Sequence, residues 1–349
     1  MDIWKGTHDV AWEHTQDELA RAYLSDGLPL VAPTLSRVSD MLAHNGYAAD
    51  EAFAMLPPSF EAATAKDIAI CAVMAGCKPE YMPVLVAAVE ALSDMSFNLV
   101  GIGTTTGSAA PLYIVNGPIV DTIGLNSKGN ALGSGHRANA TIGRAMTLIL
   151  QNIGGAKPGE VDMATLGQPA KYACCFAENV THSPWQPLHV ERGFKLAQNV
   201  VTAVGISGTV EVNDSDSQSA LDMAQTFAQS MLIAGNSGGA GLLGGGEPLC
   251  LLPPEWVALF ERDGLTKAQA KTAIWERAVL PVEKLPPRLR EHRMAASSDP
   301  KSSVIRVAEK AEDLMILVAG GVGRKAAYAP TWGGTTKAVS REIKIRNRS

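Results

Sequence analysis

The sequence predicts an α/β fold, with a mixed or mainly parallel sheet flanked by helices and with glycine-rich loops that form a cleft. The chain has 349 residues, of which 46% are hydrophobic and 19% charged, a composition typical of a globular protein with a sizeable core. Only 5% of the residues are aromatic whereas 33 are glycine, which favours many tight loops between strands and helices. From residue 65 onward, long apolar segments alternate with glycine loops, the pattern of an α/β fold.

Charge and cysteine content restrict the class of protein. The 30 basic and 35 acidic residues give a net charge of −5, so no basic surface for nucleic acid or for a membrane is implied. The N-terminal segment is polar and unlike a signal peptide, and no run approaches the roughly 18 apolar residues of a membrane span. Five cysteines without a regular framework argue against a disulfide scaffold. We therefore expect a soluble, cytoplasmic protein with reduced thiols.

Composition along the chain suggests two parts. Residues 1–60 are predicted to form an N-terminal helical segment, and residues 61–349 an α/β core. The core is expected to contain an inserted loop region at 156–200, which is rich in turn residues, and an exposed lid at 281–303.

The apolar pattern predicts most elements of the core in order. Residues 84–92 are apolar on all sides and require deep burial, which favours a homo-oligomer or a hetero-oligomer. Thr266 and Gln269 form a capping box ahead of a further helix. The predicted helices are PTLSRVSDMLAHNGY, AKDIAICAVMAG, PVLVAAVEALSD and SQSALDMAQTFAQSML. The predicted strands are FNLVGIGTTTG, PLYIVNGPIV, AVGISGTVEVND, DLMILVAGGVG and, at an edge, AVSREIKIR.

The strongest helix signal follows Gly133 and ends at Gly154–Gly155. Six apolar residues recur there at helical spacing: Ile142, Ala145, Met146, Ile149, Leu150 and Ile153. The polar residues of this segment lie on another face, where they are free to meet a ligand.

The start of that helix carries basic residues where helices favour Asp or Glu. Amides at a helix N-terminus bind anions, and arginine adds bidentate recognition of carboxylate or phosphate. The spacing matches no nucleotide-binding motif, so we expect a small anion at His136, Arg137, Asn139 and Thr141. The alternative is that Arg137 and Arg144 form salt bridges with acidic residues elsewhere.

Cys77 is the candidate nucleophile. It precedes prolines that can begin a helix and lies next to Lys78, and both features lower the pKa of a thiol. Glu80 opposes that shift. The alternative is a small residue that packs a tight turn.

The segment CCFAENVTHSPWQPLHVERG supplies two candidates for proton transfer, Glu178 and His189. Its Cys, His and Glu residues lack the spacing of a metal motif, so we predict a loop over the cleft and no metal site. Asn116, in VNGP after a strand, is a candidate donor to an oxyanion or a turn residue. Tyr328 and Trp332 are candidates for a pocket wall.

Three glycine-rich segments each follow an apolar strand or a helix-to-strand unit. They lie at 101–111, 235–248 and 320–330. Ligands of open α/β sheets bind outside the carboxyl ends of strands, so these segments are expected to line one cleft. The alternative is that the glycines only make turns.

Five motifs, DGLPLVAPT, AVMAGCKPEYMPV, GHRANATIGRA, SPWQPLHVERGF and ILVAGGVGRKAAYAPTWGG, together resemble an uncharacterised bacterial family found near UGSC-motif (seleno)proteins. The resemblance covers roughly residues 25–345 and brings no established activity. It implies a companion polypeptide with a reactive Cys or Sec, and it disfavours a redox pair between Cys71 and Cys77. The positions that lie in recurring motifs of that family are Cys77, Arg137, Asn139, Thr141, Glu178, His189 and Trp332.

These observations predict an enzyme of the hydrolase or lyase type that acts on a small carboxylate-bearing substrate. Arg137 would bind the carboxylate, Cys77 would act as nucleophile or acid, and His189 or Glu178 would move protons. One alternative is the substrate-binding subunit of a two-component thiol or selenol redox enzyme. The other is a non-catalytic subunit of a hetero-oligomer. The cofactor is unknown.

Overall fold

The computed structural model describes residues 12–233, 235, 246–295, 299–333 and 336–346, which form an α/β fold with mixed sheets. The helices of this part of the chain are α1 (Trp12–Arg21), α2 (Leu35–Asn45), α3 (Ala65–Ala75), α4 (Met82–Leu92), α5 (Leu99–Thr104), α6 (Ile119–Ile123), α7 (Arg137–Asn152), α8 (Leu188–Glu191), α9 (Ala220–Ser230), α10 (Pro254–Arg262), α11 (Lys267–Arg277) and α12 (Pro287–Ala295). The strands are β1 (Ala52–Leu56), β2 (Glu61–Thr64), β3 (Ala110–Asn116), β4 (Cys175–Ala177), β5 (Val200–Ile206), β6 (Val210–Asn213), β7 (Leu249–Leu252), β8 (Val279–Pro281), β9 (Val304–Arg306), β10 (Met315–Val318), β11 (Lys325–Ala329) and β12 (Val339–Glu342).

Two four-stranded sheets form the centre of the molecule. The first sheet has the order β12-β5-β3-β4 and the second has the order β10-β7-β11-β6. Each sheet contains one parallel pair, β3 with β4 and β10 with β7, and its other pairs are antiparallel. The predicted edge strand is confirmed, since β12 lies at the edge of the first sheet.

Strand residues alternate between two cores. Leu112 of β3 and Leu317 of β10 belong to one cluster, between the sheets, whereas Tyr113 packs with the helices α3, α4 and α7. On the second sheet, Ile316 packs with α9, α10 and α11. Because successive residues of a strand point to opposite faces, the molecule has four layers, in the order helices, sheet, sheet, helices. The sequence predicted one sheet with helices on both faces, and the structure places two sheets between them.

The helix α4 lies in the centre of the first helical layer. It packs against α3, α7, β1, β5 and β12, and its residues are buried apart from the partly exposed Glu90. Burial within one chain therefore accounts for the apolar segment at 84–92, and the predicted oligomer does not follow from this segment.

The helix α7 is confirmed with its apolar face in the core. Ile142, Met146 and Ile149 are fully buried there. Gly143 faces β4 so closely that a Cβ atom would lie 2.6 Å from the backbone nitrogen of Cys174. The first turn contains no acidic residue, and His136 at the N-cap makes no side-chain cap.

One predicted strand is a helix. Residues 99–104 form α5, because the Asn98 side chain caps its start by accepting a hydrogen bond of 3.1 Å from the Gly101 amide. Short apolar runs do not distinguish strand from helix, and the N-cap asparagine was the overlooked signal. The first of the three glycine segments is thus not the exit of a strand.

Some predicted boundaries separate parts of the chain that are joined in the structure. The boundary after residue 60 lies in the turn between β1 and β2, which pair with each other, and the division into two parts stays a prediction. The lid region contains α12, while residues 296–298 lie outside the described residues. Within the described part of the chain, no helix is both long and apolar enough to cross a membrane.

Candidate functional site

The carboxyl ends of β3, β4 and β10 meet at one end of the two sheets. Asn116 is the last residue of β3, and Glu178 and Asn179 follow β4 directly. The Asn179 amide donates to the Val318 carbonyl of β10 at 2.8 Å and so joins the edges of the two sheets. We call Asn116, Glu178 and Asn179 the strand-end cluster. In open α/β sheets, ligands bind at the carboxyl ends of the strands.

Glu178 is the centre of the strand-end cluster. Its side chain is 3% exposed, and its Oε2 accepts hydrogen bonds of 2.7 Å from Asn116 Nδ2 and from the Leu188 amide. Burial raises the pKa of Glu178, although the Lys267 charge and these hydrogen bonds oppose the shift. The structure thus brings two predicted site residues, Asn116 and Glu178, into direct contact.

His189 lies next to Leu188, on the short helix α8. It is 1% exposed, and its Nε2 lies 3.3 Å from the Leu196 carbonyl. Burial lowers its pKa, so the neutral ring is favoured. When Nε2 donates to that carbonyl, Nδ1 carries the lone pair of the ring. Within the described part of the structure this Nδ1 and the Oδ1 of Asn116 are buried without a hydrogen-bond partner.

Asn139 supports the strand-end cluster instead of facing a ligand. Its Oδ1 accepts from the Asn126 amide at 2.7 Å, and its Nδ2 donates to the carbonyls of Asn126 and Ala131. The Asn126 carbonyl in turn accepts from the Ala177 amide at the end of β4. The predicted substrate contact of Asn139 is therefore replaced by a role in holding the loop at 126–131.

The glycine segment at 320–323 packs against this same loop. The Gly320 amide donates to the Ser127 carbonyl at 2.9 Å, and its own carbonyl accepts from Asn179 Nδ2. A Cβ atom at Gly321 would lie 2.9 Å from Gly129 Cα, so the close approach requires glycine. One of the three predicted segments thus reaches the strand-end cluster. Much of the segment at 235–248 lies outside the described residues.

The basic residues at the start of α7 have partners within the protein. Arg137 Nε and Nη2 both donate to the Gly76 carbonyl, at 3.0 and 2.9 Å, where α3 ends. Arg144 forms a bidentate salt bridge with Asp26, at 2.7 and 2.8 Å, which confirms the alternative for this residue. Thr141 Oγ1 donates to the Arg137 carbonyl, and His136 is exposed. Two of the five N–H donors of Arg137 are therefore used by the Gly76 carbonyl. Anion binding at this helix start stays a prediction.

Cys77 does not lie in the electropositive, partly exposed environment that was expected. The residue is buried, and its Sγ donates to the Thr141 carbonyl at 3.2 Å. Burial raises its pKa to about 12, while the Thr141 contact and the Arg137 charge oppose the shift only in part. The predicted lowering of the pKa was wrong, because desolvation outweighs the positive neighbours. Lys78 instead pairs with Glu80 at 3.6 Å.

Tyr328 and Trp332 lie away from the strand-end cluster. Tyr328 is 1% exposed and packs edge-on against Phe227 beneath the second sheet, so it forms no pocket wall. Trp332 is buried over α5, where a Cβ atom at Gly101 would lie 2.8 Å from its ring. Both residues stabilise the core.

A cavity of about 350 Å³, here the α8–α11 cavity, is lined by residues of α8, α11 and the start of β10 and by no residue of the strand-end cluster. Leu188, whose amide bonds Glu178, is part of its wall. The charged residues of the wall are the basic Arg192 and Lys271 and the acidic Glu191, Glu247 and Glu312. Glu191 of the wall accepts from Lys271 and, at 2.7 Å, from Lys267. Lys267, which pairs with Glu191 of the wall, also opposes the rise in the pKa of Glu178.

Sequence reasoning missed these lysines and Arg192. The signal was present in TKAQAK, where Lys267 and Lys271 are four residues apart on a capped helix and so share one face. Among the described residues, no group of three or more His, Cys, Asp or Glu side chains is placed to hold a metal ion.

Comparison of the chain with protein-family models, with curated proteins and with solved structures gave no match. A function is therefore argued from the chemistry of the site alone.

Proposed function

We propose that this protein is an enzyme of the hydrolase or lyase type that acts on a small carboxylate-bearing substrate, with Glu178 as the group that transfers a proton. The observation that carries the proposal is the position of Glu178, a buried carboxyl group of raised pKa at the carboxyl ends of three strands. A general acid needs a pKa near the working pH, and burial is a common means of raising that of a glutamate.

The contacts of Glu178 favour a defined orientation. Asn116 Nδ2 and the Leu188 amide both hold Oε2, so rotation of the carboxyl group is restricted. A positioned proton donor contributes typically about 10²- to 10⁴-fold to a rate. In this proposal Glu178 donates its proton to the leaving atom of the substrate and recovers it from water or from the product.

Two buried acceptors support a polar substrate at this end of the sheets. Asn116 Oδ1 and His189 Nδ1 have no partner among the described residues, and buried polar atoms left unpaired are rare in proteins. A hydroxyl or N–H group of the substrate would satisfy either atom. His189 would stay neutral and act as acceptor.

The α8–α11 cavity is proposed to hold the substrate carboxylate. Its volume, about 350 Å³, suits a small molecule. Lys271 and Arg192 supply the positive charge; Arg192 Nη1 lies 3.4 Å from Glu247, and its Nη2 donates to the Ala338 carbonyl at 2.5 Å. A carboxylate that enters the cavity can accept from the N–H groups of Arg192 that these two contacts leave free.

The cysteines favour a second candidate, the substrate-binding subunit of a two-component thiol or selenol enzyme. Burial raises the pKa of each of the five thiols: Cys71, Cys77, Cys174, Cys175 and Cys250. Thiol chemistry at this site would therefore need a thiolate or selenolate from another chain. In that case the isolated chain binds carboxylates without converting them.

The experiment is a screen of mono- and dicarboxylic acids of two to six carbons by saturation-transfer NMR, with product formation followed in the same samples. We expect at least one acid to bind, Asn116→Ala and Arg192→Gln to weaken it about tenfold, and Glu178→Gln to keep binding while conversion stops. Glu309→Gln, a change at an exposed glutamate, is the matched control. Binding without conversion by the wild type favours the second candidate. The proposal is contradicted if no acid binds, or if neither Asn116→Ala nor Arg192→Gln changes the affinity of the acid that binds.

A further inference from the structure

A second and larger cavity lies at the opposite end of β3. It has a volume of about 1030 Å³ and is bounded by residues 20–27, by α5, by the start of β3, by the last turns of α7 and by the segment at 156–172. The strand β3 has seven residues, so its two ends are about 20 Å apart. We call this space the α5–α7 cavity. It shares no wall residue with the α8–α11 cavity.

The wall of the α5–α7 cavity is mainly aliphatic. Ile102, Leu150 and Pro111 form part of its floor. Large apolar side chains also stand exposed at its margin, among them Leu166, which is 93% exposed, and Tyr172, which is 54% exposed. Exposed apolar surface around a concave site is typical of ligand binding.

The charged groups of the wall leave one cation available. Asp26 is held by Arg144 and Asp162 by Lys171, so these charges are neutralised. Lys157 forms no ion pair with any described residue, and its Nζ lies 5.7 Å above the ring of Tyr23. Glu160 also borders the cavity; it is exposed to solvent and, like Lys157, forms no ion pair with a described residue.

The backbone holds the aromatic partner of Lys157 in an unusual conformation. Tyr23 has a φ of 55° and is 66% exposed at the cavity mouth. A bulky residue in the left-handed region costs about 1 kcal/mol or more, and such strain tends to occur at ligand sites. Tyr23 and Lys157 together present an aromatic face and a cation to a ligand that enters the α5–α7 cavity.

We infer that the α5–α7 cavity binds a medium-chain carboxylate, with the alkyl chain along the aliphatic wall and the carboxylate on Lys157. An apolar body suits the wall, and the unpaired ammonium selects a negative head group. The volume of the cavity, about 1030 Å³, is sufficient for such a chain and larger than a small polar metabolite needs. This site is independent of Glu178 and of the proposed reaction.

Decanoate is the probe, and calorimetric titration of the full chain is the measurement. We expect saturable binding of one decanoate in the micromolar range, with decyltrimethylammonium bound about tenfold more weakly because its head group is repelled by Lys157. Lys157→Gln should weaken decanoate about three- to fivefold and remove the preference for the negative head group. Lys344→Gln, a change at an exposed lysine, is the matched control.

Blocking variants test the location of the site. A Cβ atom at Gly103 meets only ordinary contacts, 3.6 Å to Ala156 and to Pro58, so Gly103→Leu should fill the cavity and weaken decanoate about tenfold or more. Thr147→Phe, on the α7 side of the wall, serves if Gly103→Leu does not fold by circular dichroism. Non-saturable binding, or decanoate affinity unchanged in both Lys157→Gln and the folded blocking variant, would overturn the inference. Glu178→Gln, which is expected to stop conversion of the small acid, should bind decanoate with the affinity of the wild type.

Discussion

Asn116 donates a hydrogen bond of 2.7 Å from its side-chain amide to Oε2 of Glu178, across 62 residues of sequence. Asn116 is the last residue of β3, and Glu178 directly follows the neighbouring parallel strand β4. The pairing of these two strands brings the residues into contact. Both residues are almost fully buried, with 1% and 3% exposure. A carboxyl group so placed is either a costly structural element or a reactive one, and its raised pKa leads to the first prediction.

Glu178 should make stability depend on pH. Its pKa in the folded state lies above that in the unfolded state, so the folded protein holds the proton more tightly. The stability of the wild type relative to Glu178→Gln should be constant below the ordinary glutamate pKa, about 4.3, and should fall as the pH rises toward the folded-state value. Urea unfolding at a series of pH values measures this, with a limiting slope of about 1.4 kcal/mol per pH unit. A relative stability that rises with pH in this window contradicts the account.

Cys77 should react slowly with iodoacetamide. With a pKa of about 12 and a buried Sγ, the thiolate is scarce at neutral pH, and the reagent reaches it only when the chain opens. Labelling followed by mass spectrometry between pH 6 and 9 should be slower in the native protein than in urea by about 100-fold or more. Fast native labelling with an apparent pKa below that of a free thiol, about 8.5, would restore Cys77 as nucleophile.

The Arg144–Asp26 salt bridge should matter for stability. The Asp26 and Arg144 side chains are 4% and 16% exposed, so removal of one partner leaves a poorly solvated charge. Arg144→Ala should lower the free energy of unfolding by about 3 kcal/mol, measured by urea titration. Arg21→Ala, which removes an exposed pair with Glu18, is the control and should cost less than about 1 kcal/mol. Equal effects of the two variants would contradict the role given to Arg144.

Substitution of Asn139 should lower the stability of the fold and leave substrate binding nearly unchanged. Asn139→Ala removes one accepted and two donated hydrogen bonds of a buried side chain, so the expected loss is about 2–4 kcal/mol. Thermal unfolding measures the loss. Any carboxylate that binds the wild type should bind the folded variant with an affinity within about threefold of the wild type, since the side chain faces the loop at 126–131. Normal stability together with lost binding would return Asn139 to the ligand site.

Local patterns in the sequence were sufficient for much of the fold. The stripe from Ile142 to Ile153 and the capping box of Thr266 and Gln269 are both present, because each depends on residues within one helix. The second sheet facing the first was not predictable from these patterns. The strands β3, β7 and β10 are apolar on both faces, and such a strand does not reveal what each face contacts.

The site was predictable in its residue types and less so in its partners. Asn116 stood out because it follows an apolar strand, and Glu178 because it is a titratable residue of a segment predicted to be a loop. The meeting of strand ends brought the two together. For Arg137 an anion was predicted, and the sequence did not reveal that two of its donors bond the backbone carbonyl of Gly76, an acceptor that any residue can supply. For Cys77 the neighbouring charges were visible in the sequence, but the burial that dominates its pKa was not.

The titration of the Glu178 carboxyl group by ¹³C NMR tests the central claim most directly. The protein would carry labelled glutamate, and Glu178→Gln would assign the signal. The account predicts an apparent pKa above the ordinary value, about 4.3, and a further change when a carboxylate from the screen is bound. A pKa at or below the ordinary value that no carboxylate changes would contradict it.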